Sequence, residues 1–212
     1  MEGPKKMMYD KSGAKLVQAL EKRNMEGYYC PTAEEAVAKV LELIPLDHTV
    51  SWGGVMTVDQ LGIKQKLAQR GQPLIDRDTA KTPEERDDML HQALLCGTFL
   101  MSSNAISIDG QLVNIDGLAN RVAALCFGPK QVIVVAGMNK VAGDLNAAIA
   151  RARNVAAPAN AQRFNIKTPC AVNGQCGDCT SPDCICAQMV ITRFSKIKGR
   201  IKVVLVGEDL GL

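Results

Sequence analysis

Five cysteines crowd one short stretch: Cys170, Cys176, Cys179, Cys184 and Cys186. Gly, Asn, Asp, Ser and Pro surround them, so the stretch 168–187 reads as a loop that buries little apolar surface. It is long for an ordinary connection, so something other than a core should order it. Cys176-x-x-Cys179 is the spacing that turns two thiolates onto one metal, and Cys184 or Cys186 with Cys170 completes four ligands. Zinc accepts such a tetrahedral thiolate set and so does a 4Fe-4S cluster. Spacing does not separate them. Reversible disulfides or free thiols in a flexible loop are the plainer alternatives. The other three cysteines, Cys30, Cys96 and Cys126, sit among apolar neighbours and read as core residues.

Three further segments carry groups suited to an anion. In Ser51-Trp52-Gly53-Gly54-Val55-Met56-Thr57, two glycines between a strand and a helix let the backbone approach a ligand. The second segment holds Asn104, Asp109, Asp116, Asn120 and Arg121, with two Asp-Gly pairs among them. Arg121 stands at a helix start, where dipole logic favours an acid, so it serves an anionic ligand or pairs with Asp116. The third is Gly137-Met138-Asn139-Lys140, where Lys140 is a point charge suited to carboxylate or phosphate. Each has a bland counterpart: a tight turn, a helix cap at Asp116, a solvated lysine. His48 and His91 lie in ordinary contexts, and neither a phosphate loop nor a nucleophile elbow is present.

The elements that must position these groups alternate between the two periods. Leu16, Val17 and Leu20 mark a helix over 11–24, and Tyr28-Tyr29-Cys30 is a short extended break. Thr32 to Glu35 and Thr82 to Glu85 have the form of capping boxes, opening helices over about 33–44 and 83–96. Strands are expected at Thr49–Trp52, Leu74–Ile75, Thr98–Met101 and Gln131–Ala136, the last a continuous β-branched run for a strand buried on both faces. Asp109-Gly110 between Ile106–Ile108 and Gln111–Val113 is a hairpin signal. Helices over 57–70, 118–126 and 141–153 follow their strands. Ala157–Asn160 leads into the cysteine loop, and Met189–Phe194 and Ile201–Val206 close the chain as strands. The order predicts one α/β domain over 1–212, with an N-terminal helical part over 1–45 and a mostly parallel sheet covered by helices on both faces.

At 212 residues the chain is long enough for a sizeable core and short for two domains. A formal charge of only +3 and 4% aromatic residues argue against nucleic acid. No window approaches ~18 consecutive apolar residues, which argues against a membrane span. Met1-Glu2-Gly3-Pro4-Lys5-Lys6 is followed by no apolar stretch of signal-peptide type, so a cytoplasmic protein with reduced thiols is expected.

Taken together, Ser103-Asn104-Ala105-Ile106, Asp109-Gly110, Asn114-Ile115-Asp116-Gly117, Asn120-Arg121-Val122, Gly137-Met138-Asn139-Lys140 and Ala157-Pro158-Ala159-Asn160 resemble the LUD (lactate-utilisation) domain family. The resemblance runs from about Trp52 to Leu212. It implies a three-layer α/β sandwich like that of sugar-phosphate isomerases and CoA transferases. It also implies a part in oxidising lactate to pyruvate alongside iron–sulfur proteins, which tilts the cysteine loop toward a cluster. The sequence departs from such relatives in lacking the run C-x2-C-x2-C-x3-C-P. No CoA-transferase glutamate can be placed, since Glu26-Gly27 lies near the N-terminus.

The leading expectation is a protein that binds a small 2-hydroxy or 2-oxo carboxylate. Arg121 and Lys140 would neutralise it, Asn104, Asn120 and Asn139 would bind its oxygens, and Gly53, Gly54, Thr57, Asp109, Asp116 and Gly137 would complete the site. One alternative is an isomerase or hydrolase acting on a phosphorylated or CoA-linked substrate. Another is a non-catalytic subunit docking an electron-transfer protein. Expected partners are the small anionic carboxylate, a redox protein and a second copy of the chain in a homo-oligomer.

Overall fold

Alternate residues of the run Gln131–Gly137 belong to different cores, although the run is buried along its whole length. Val132, Val134 and Ala136 pack with Leu16, Leu20, Phe99 and Leu125. Ile133 and Val135 pack with Val37, Val40, Val58 and Leu67. A strand with an apolar partner on each face must lie inside a sheet covered on both sides.

The computed structural model describes residues 2–212. In chain order its elements are α1 (Pro4–Lys22), β1 (Glu26–Cys30), α2 (Ala33–Leu43), β2 (Val50–Trp52), α3 (Met56–Gln60), α4 (Ile63–Gln69) and β3 (Leu74–Ile75). Then come α5 (Pro83–Gln92), β4 (Thr98–Met101), β5 (Ala105–Ser107), β6 (Leu112–Asp116), α6 (Asn120–Cys126), β7 (Gln131–Gly137) and β8 (Val141–Ala142). The chain closes with α7 (Leu145–Arg151), α8 (Ala157–Ala161), α9 (Pro169–Asn173), β9 (Gln188–Thr192) and β10 (Ile201–Val206). Six strands form one sheet in the order β1-β10-β7-β4-β2-β3, every pairing parallel. With α1 and α6 on one face and α2, α3 and α4 on the other, the three-layer α/β sandwich is in place.

Local signals formed as expected where they were strongest. Thr32 Oγ1 accepts from Glu35 N, and Thr82 Oγ1 from Glu85 N, each at 3.2 Å. Asp109 and Gly110 turn the antiparallel β5–β6 pair, in which Ala105 faces Val113. Cys30 and Cys96 are buried.

Four expectations need correction. The helix expected over 57–70 is two helices, because Gly62 takes a left-handed conformation (φ 64°) between α3 and α4. The helix expected from Val141 starts at Leu145, with Asp144 as its cap, because Val141 and Ala142 first pair with Ile106 and Ser107. Ala157–Asn160 is helical, not a lead-in loop. A π-helical turn over Ala152–Ala156 precedes Pro158, which occupies the first turn of α8, where its missing N–H costs nothing. Cys126 is exposed at the end of α6, not buried. The two closing strands, expected and present, enter different sheets. Gln188–Thr192 runs antiparallel to β6, whereas β10 enters the main sheet between β1 and β7. The smaller sheet thus formed, β8-β5-β6-β9, packs on α7 through Ala105, Val113, Ile115 and Ala148.

Candidate functional site

In an open parallel sheet, loops at the carboxyl ends of adjacent strands converge on one crevice. Here β2 ends at Trp52 and delivers Gly53 and Gly54, β4 ends at Met101 and delivers Ser102, and β7 ends at Gly137 three residues before Lys140. These segments, with the loop after β6 and part of the cysteine loop, line a cleft of about 690 Å³.

Lys140 lies at its floor, 4% exposed. Its Nζ stands 3.0 Å from Ser102 Oγ and 3.2 Å from Thr57 Oγ1, and those two hydroxyls are 3.5 Å apart. No carboxylate pairs with this lysine among the described residues. Burial pulls its pKa down to about 7, and the guanidiniums of Arg151 and Arg121 push the same way. The segment after β10 passes over it. Leu210 N donates to Asn139 Oδ1 at 3.1 Å and Gly211 N to Gln60 Oε1 at 2.8 Å. A Cβ on Gly211 would stand 2.5 Å from Thr57 Oγ1 and 2.8 Å from Lys140 Nζ, at a backbone φ of +63°. Only glycine fits that crossing.

Arg121 is spent on the protein itself. Nη1 donates to Ser102 O at 3.0 Å and Asn114 Oδ1 at 2.7 Å. Nη2 donates to Asn104 Oδ1 at 3.0 Å and to Ile115 O. Nε stands 3.3 Å from Asp116 Oδ2. This side chain therefore sews the end of β4 to β6 and fixes where Ser102 and Asn104 sit. Gly53 is part of the same packing, since a Cβ there would meet Arg121 Cδ at 2.9 Å.

Of the residues singled out in the sequence, Gly53, Gly54, Thr57, Asn104, Asp116, Asn120, Arg121 and Lys140 line the cleft together. Gly137 and Asn139 stand behind it, where they hold the segment carrying Leu210. Asp109 lies elsewhere: it pairs with Arg23 of the loop after α1 at 2.6 Å and closes its own turn through Ser107 and Gln111.

The cysteine loop turns out to be part of the cleft wall. Cys184 and Ile185 line it, and Gly117 packs so closely that a Cβ there would meet Ile185 Cα at 3.3 Å and Cys184 O at 3.5 Å. Burial raises the Cys186 thiol, and Cys184, Cys176, Cys179 and Cys170 all add to the shift. Among the described residues no three cysteine, histidine or carboxylate side chains come together at ligating distance.

A model of the LUD domain matches residues 13–206. The chain belongs to the LUD domain family. No curated protein matches it. Among solved structures, a DUF162 family protein from Deinococcus radiodurans aligns over 93% of this chain and 97% of its own, at 10% identity and a TM-score of 0.53. At that identity the likeness is one of fold. The tetrameric eIF2B-beta2-delta2 complex from Chaetomium thermophilum matches over 81% of this chain and 55% of that one, at 13% identity and a TM-score of 0.41.

In this LUD domain, several cleft residues were not legible in the sequence. Ser102, Lys64, Arg77, Arg86 and Arg163 all line it. Arg77 is the most telling. Its side chain is largely buried, its Nε has no hydrogen-bond partner among the described residues, and its nearest acid, Asp78, is 3.7 Å from Nε. The available signal for Ser102 was its place immediately after the buried strand Thr98–Met101. For the arginines there was none, because Arg77 on the short turn after β3, Arg86 on α5 and Arg163 just past α8 meet the cleft only in the folded chain.

Proposed function

We propose that this LUD-domain protein binds a small 2-hydroxy or 2-oxo carboxylate in the cleft and takes part in its oxidation, as the lactate-utilisation name of the family suggests. The observation that carries the reading is the imbalance of charge in the lining. Six cationic side chains, Lys64, Arg77, Arg86, Arg121, Lys140 and Arg163, stand against three carboxylates. Asp116 is taken up by Arg121, and Asp59 and Asp78 by Lys64 and Arg77. Arg86 and Arg163 keep their charge for something else, and Arg77 Nε keeps a free donor. An anion of a few atoms fits the volume and balances the field.

Each group has a role that follows from its position. Arg77 meets the carboxylate from within the cleft wall and Arg163 from its edge, and Asn104 and Asn120 supply amide hydrogen-bonding groups to its oxygens. Ser102, Thr57 and Lys140 stand beside the substituted carbon and exchange protons with the 2-oxygen. Converting a 2-hydroxy acid to a 2-oxo acid releases two electrons, which none of these side chains can hold, so a redox partner protein must accept them.

The cysteine loop belongs to the same proposal. The donor set suits a thiolate-bound centre: Cys176 and Cys179 with Cys184 or Cys186 and Cys170 can supply four ligands to zinc or to a 4Fe-4S cluster. A bound cluster would supply one-electron chemistry at the cleft wall, and bound zinc would order the loop. All eight cysteines are free. Among the described residues no helix is long and apolar enough to cross a membrane.

Thermal-shift measurements with lactate, pyruvate, glycolate and phosphorylated sugars test the reading. It expects a saturable rise in Tm with the small 2-substituted carboxylates. No rise with any of them, alongside a rise with a phosphate ester, favours the phosphorylated-substrate alternative instead.

A further inference from the structure

Ser102 and Lys140 are arranged in a way that carbonyl binding does not require. Ser102 stands half-buried on the cleft wall, immediately after β4, with its backbone carbonyl held by Arg121 Nη1 at 3.0 Å. Its hydroxyl is 3.0 Å from Lys140 Nζ, and Thr57 Oγ1 fixes the same nitrogen from a second side at 3.2 Å. The serine thus faces the cleft while the amine sits behind it, shielded by the Gly211 crossing.

We propose that Ser102 and Lys140 are a nucleophile–base couple for acyl transfer, with Ser102 Oγ attacking the carbonyl of a negatively charged ester or thioester. The inference stands apart from the 2-hydroxy acid reading, since it needs only the cationic cleft and the serine–lysine geometry.

A lysine can act as base only while neutral. Burial and the guanidiniums of Arg121 and Arg151 favour that state, the hydroxyls of Thr57 and Ser102 hold the nitrogen in place, and among the described residues no carboxylate pairs with it. Its lowered pKa is consistent with this. In the step itself, the Ser102 Oγ proton moves to Nζ as the Oγ–carbon bond forms. The same proton leaves Nζ for the departing alkoxide or thiolate as its bond to the acyl carbon breaks. Water then attacks the acyl-serine, giving its proton to Nζ, and Ser102 leaves with a proton returned from it. One ester or thioester and one water give one acid and one alcohol or thiol, with no change of oxidation state. Arg77, with its buried unpartnered Nε in the cleft wall, and Arg163 meet the charge of the substrate.

The test uses the full-length protein, a fluorophosphonate probe and p-nitrophenyl acetate at pH 8, with the modified residue located by fragmentation of tryptic peptides. A single adduct on Ser102 is expected, together with its loss in Ser102→Ala. In Lys140→Met the labelling rate should fall about a hundredfold or more. Thermal melts report whether each variant is folded, and the wild-type reaction decides the matter even where one is not. No adduct on the wild type, an adduct on Ser103 or Thr57, or hydrolysis by Ser102→Ala at the wild-type rate would overturn the proposal.

Discussion

Arg121 Nε stands 3.3 Å from Asp116 Oδ2, with the two side chains 12% and 11% exposed. The pair is the anchor of the cleft, because the same guanidinium also holds Ser102 O, Asn104 Oδ1, Asn114 Oδ1 and Ile115 O. Removing it strands a buried carboxylate and several acceptors at once. Arg121→Met should therefore destabilise the protein by about 3–5 kcal/mol, as for a broken buried ion pair. Urea unfolding checks this, and a loss below about 1 kcal/mol would show that Arg121 is free to serve a ligand instead.

Lys140 makes stability depend on pH in a definite direction. Its folded pKa, about 7, lies below its ordinary value of 10.5, so between those limits the unfolded chain binds the extra proton. Stability from this group then rises with pH over that window, by up to about 1.4 kcal/mol per unit, and is flat below it. Tyr28, raised to about 12, and Cys30 and Cys96, raised to about 11, act oppositely at high pH, so the comparison is with Lys140→Met rather than with the wild type alone. From pH 7 to pH 9 the wild type should gain about 2 kcal/mol relative to that variant. An unchanged difference would mean that Lys140 titrates normally.

Local signals were read correctly wherever they were self-contained. The Thr32 and Thr82 caps, the Asp109-Gly110 turn and the buried run Gln131–Gly137 each carry their own geometry within a few residues. Three strands of the smaller sheet were read, but not their assembly: Val141–Ala142 is too short to read as a strand, and nothing in the sequence near Gln188–Thr192 shows that it pairs with β6, whose residues lie far away in the chain. The site divides along the same line. Gly53, Gly54, Arg121 and Lys140 announce themselves at strand ends, whereas Arg77, Arg86 and Arg163 join only through packing. Asp109 looked equivalent to Asp116 because both precede glycine, yet they stand at opposite ends of the β5–β6 unit: one meets Arg23 and the other Arg121.

Gly211 should tolerate no side chain. In Gly211→Ala the new methyl would collide with Thr57 Oγ1 and Lys140 Nζ at a left-handed φ, so the segment after Leu210 must lift. A loss of about 1–3 kcal/mol is expected, with faster acylation of the Lys140 amine by a water-soluble ester. Reactivity identical to wild type would mean that the crossing does not shield the lysine.

The cysteine loop is expected to carry metal in protein purified without air. Replacing Cys176 and Cys179 with Ser should abolish it, whereas Cys30→Ser should not, because Cys30 is buried in the main sheet far from the loop in sequence. Chelation should expose 168–187 to protease, since ligand binding there is folding free energy. Metal at full stoichiometry in the Cys176/Cys179 double variant, or none in the wild type, would end that part of the account.

The charge of the cleft is tested most directly by isothermal titration of the wild type and Arg77→Met with lactate and pyruvate at low ionic strength. Saturable binding at one site per chain, weakened about tenfold or more in Arg77→Met, is the predicted result, in line with losing a charge-assisted hydrogen bond of ~1.5–3 kcal/mol. Heats no larger than dilution for both carboxylates, or equal affinity in the variant, would contradict it.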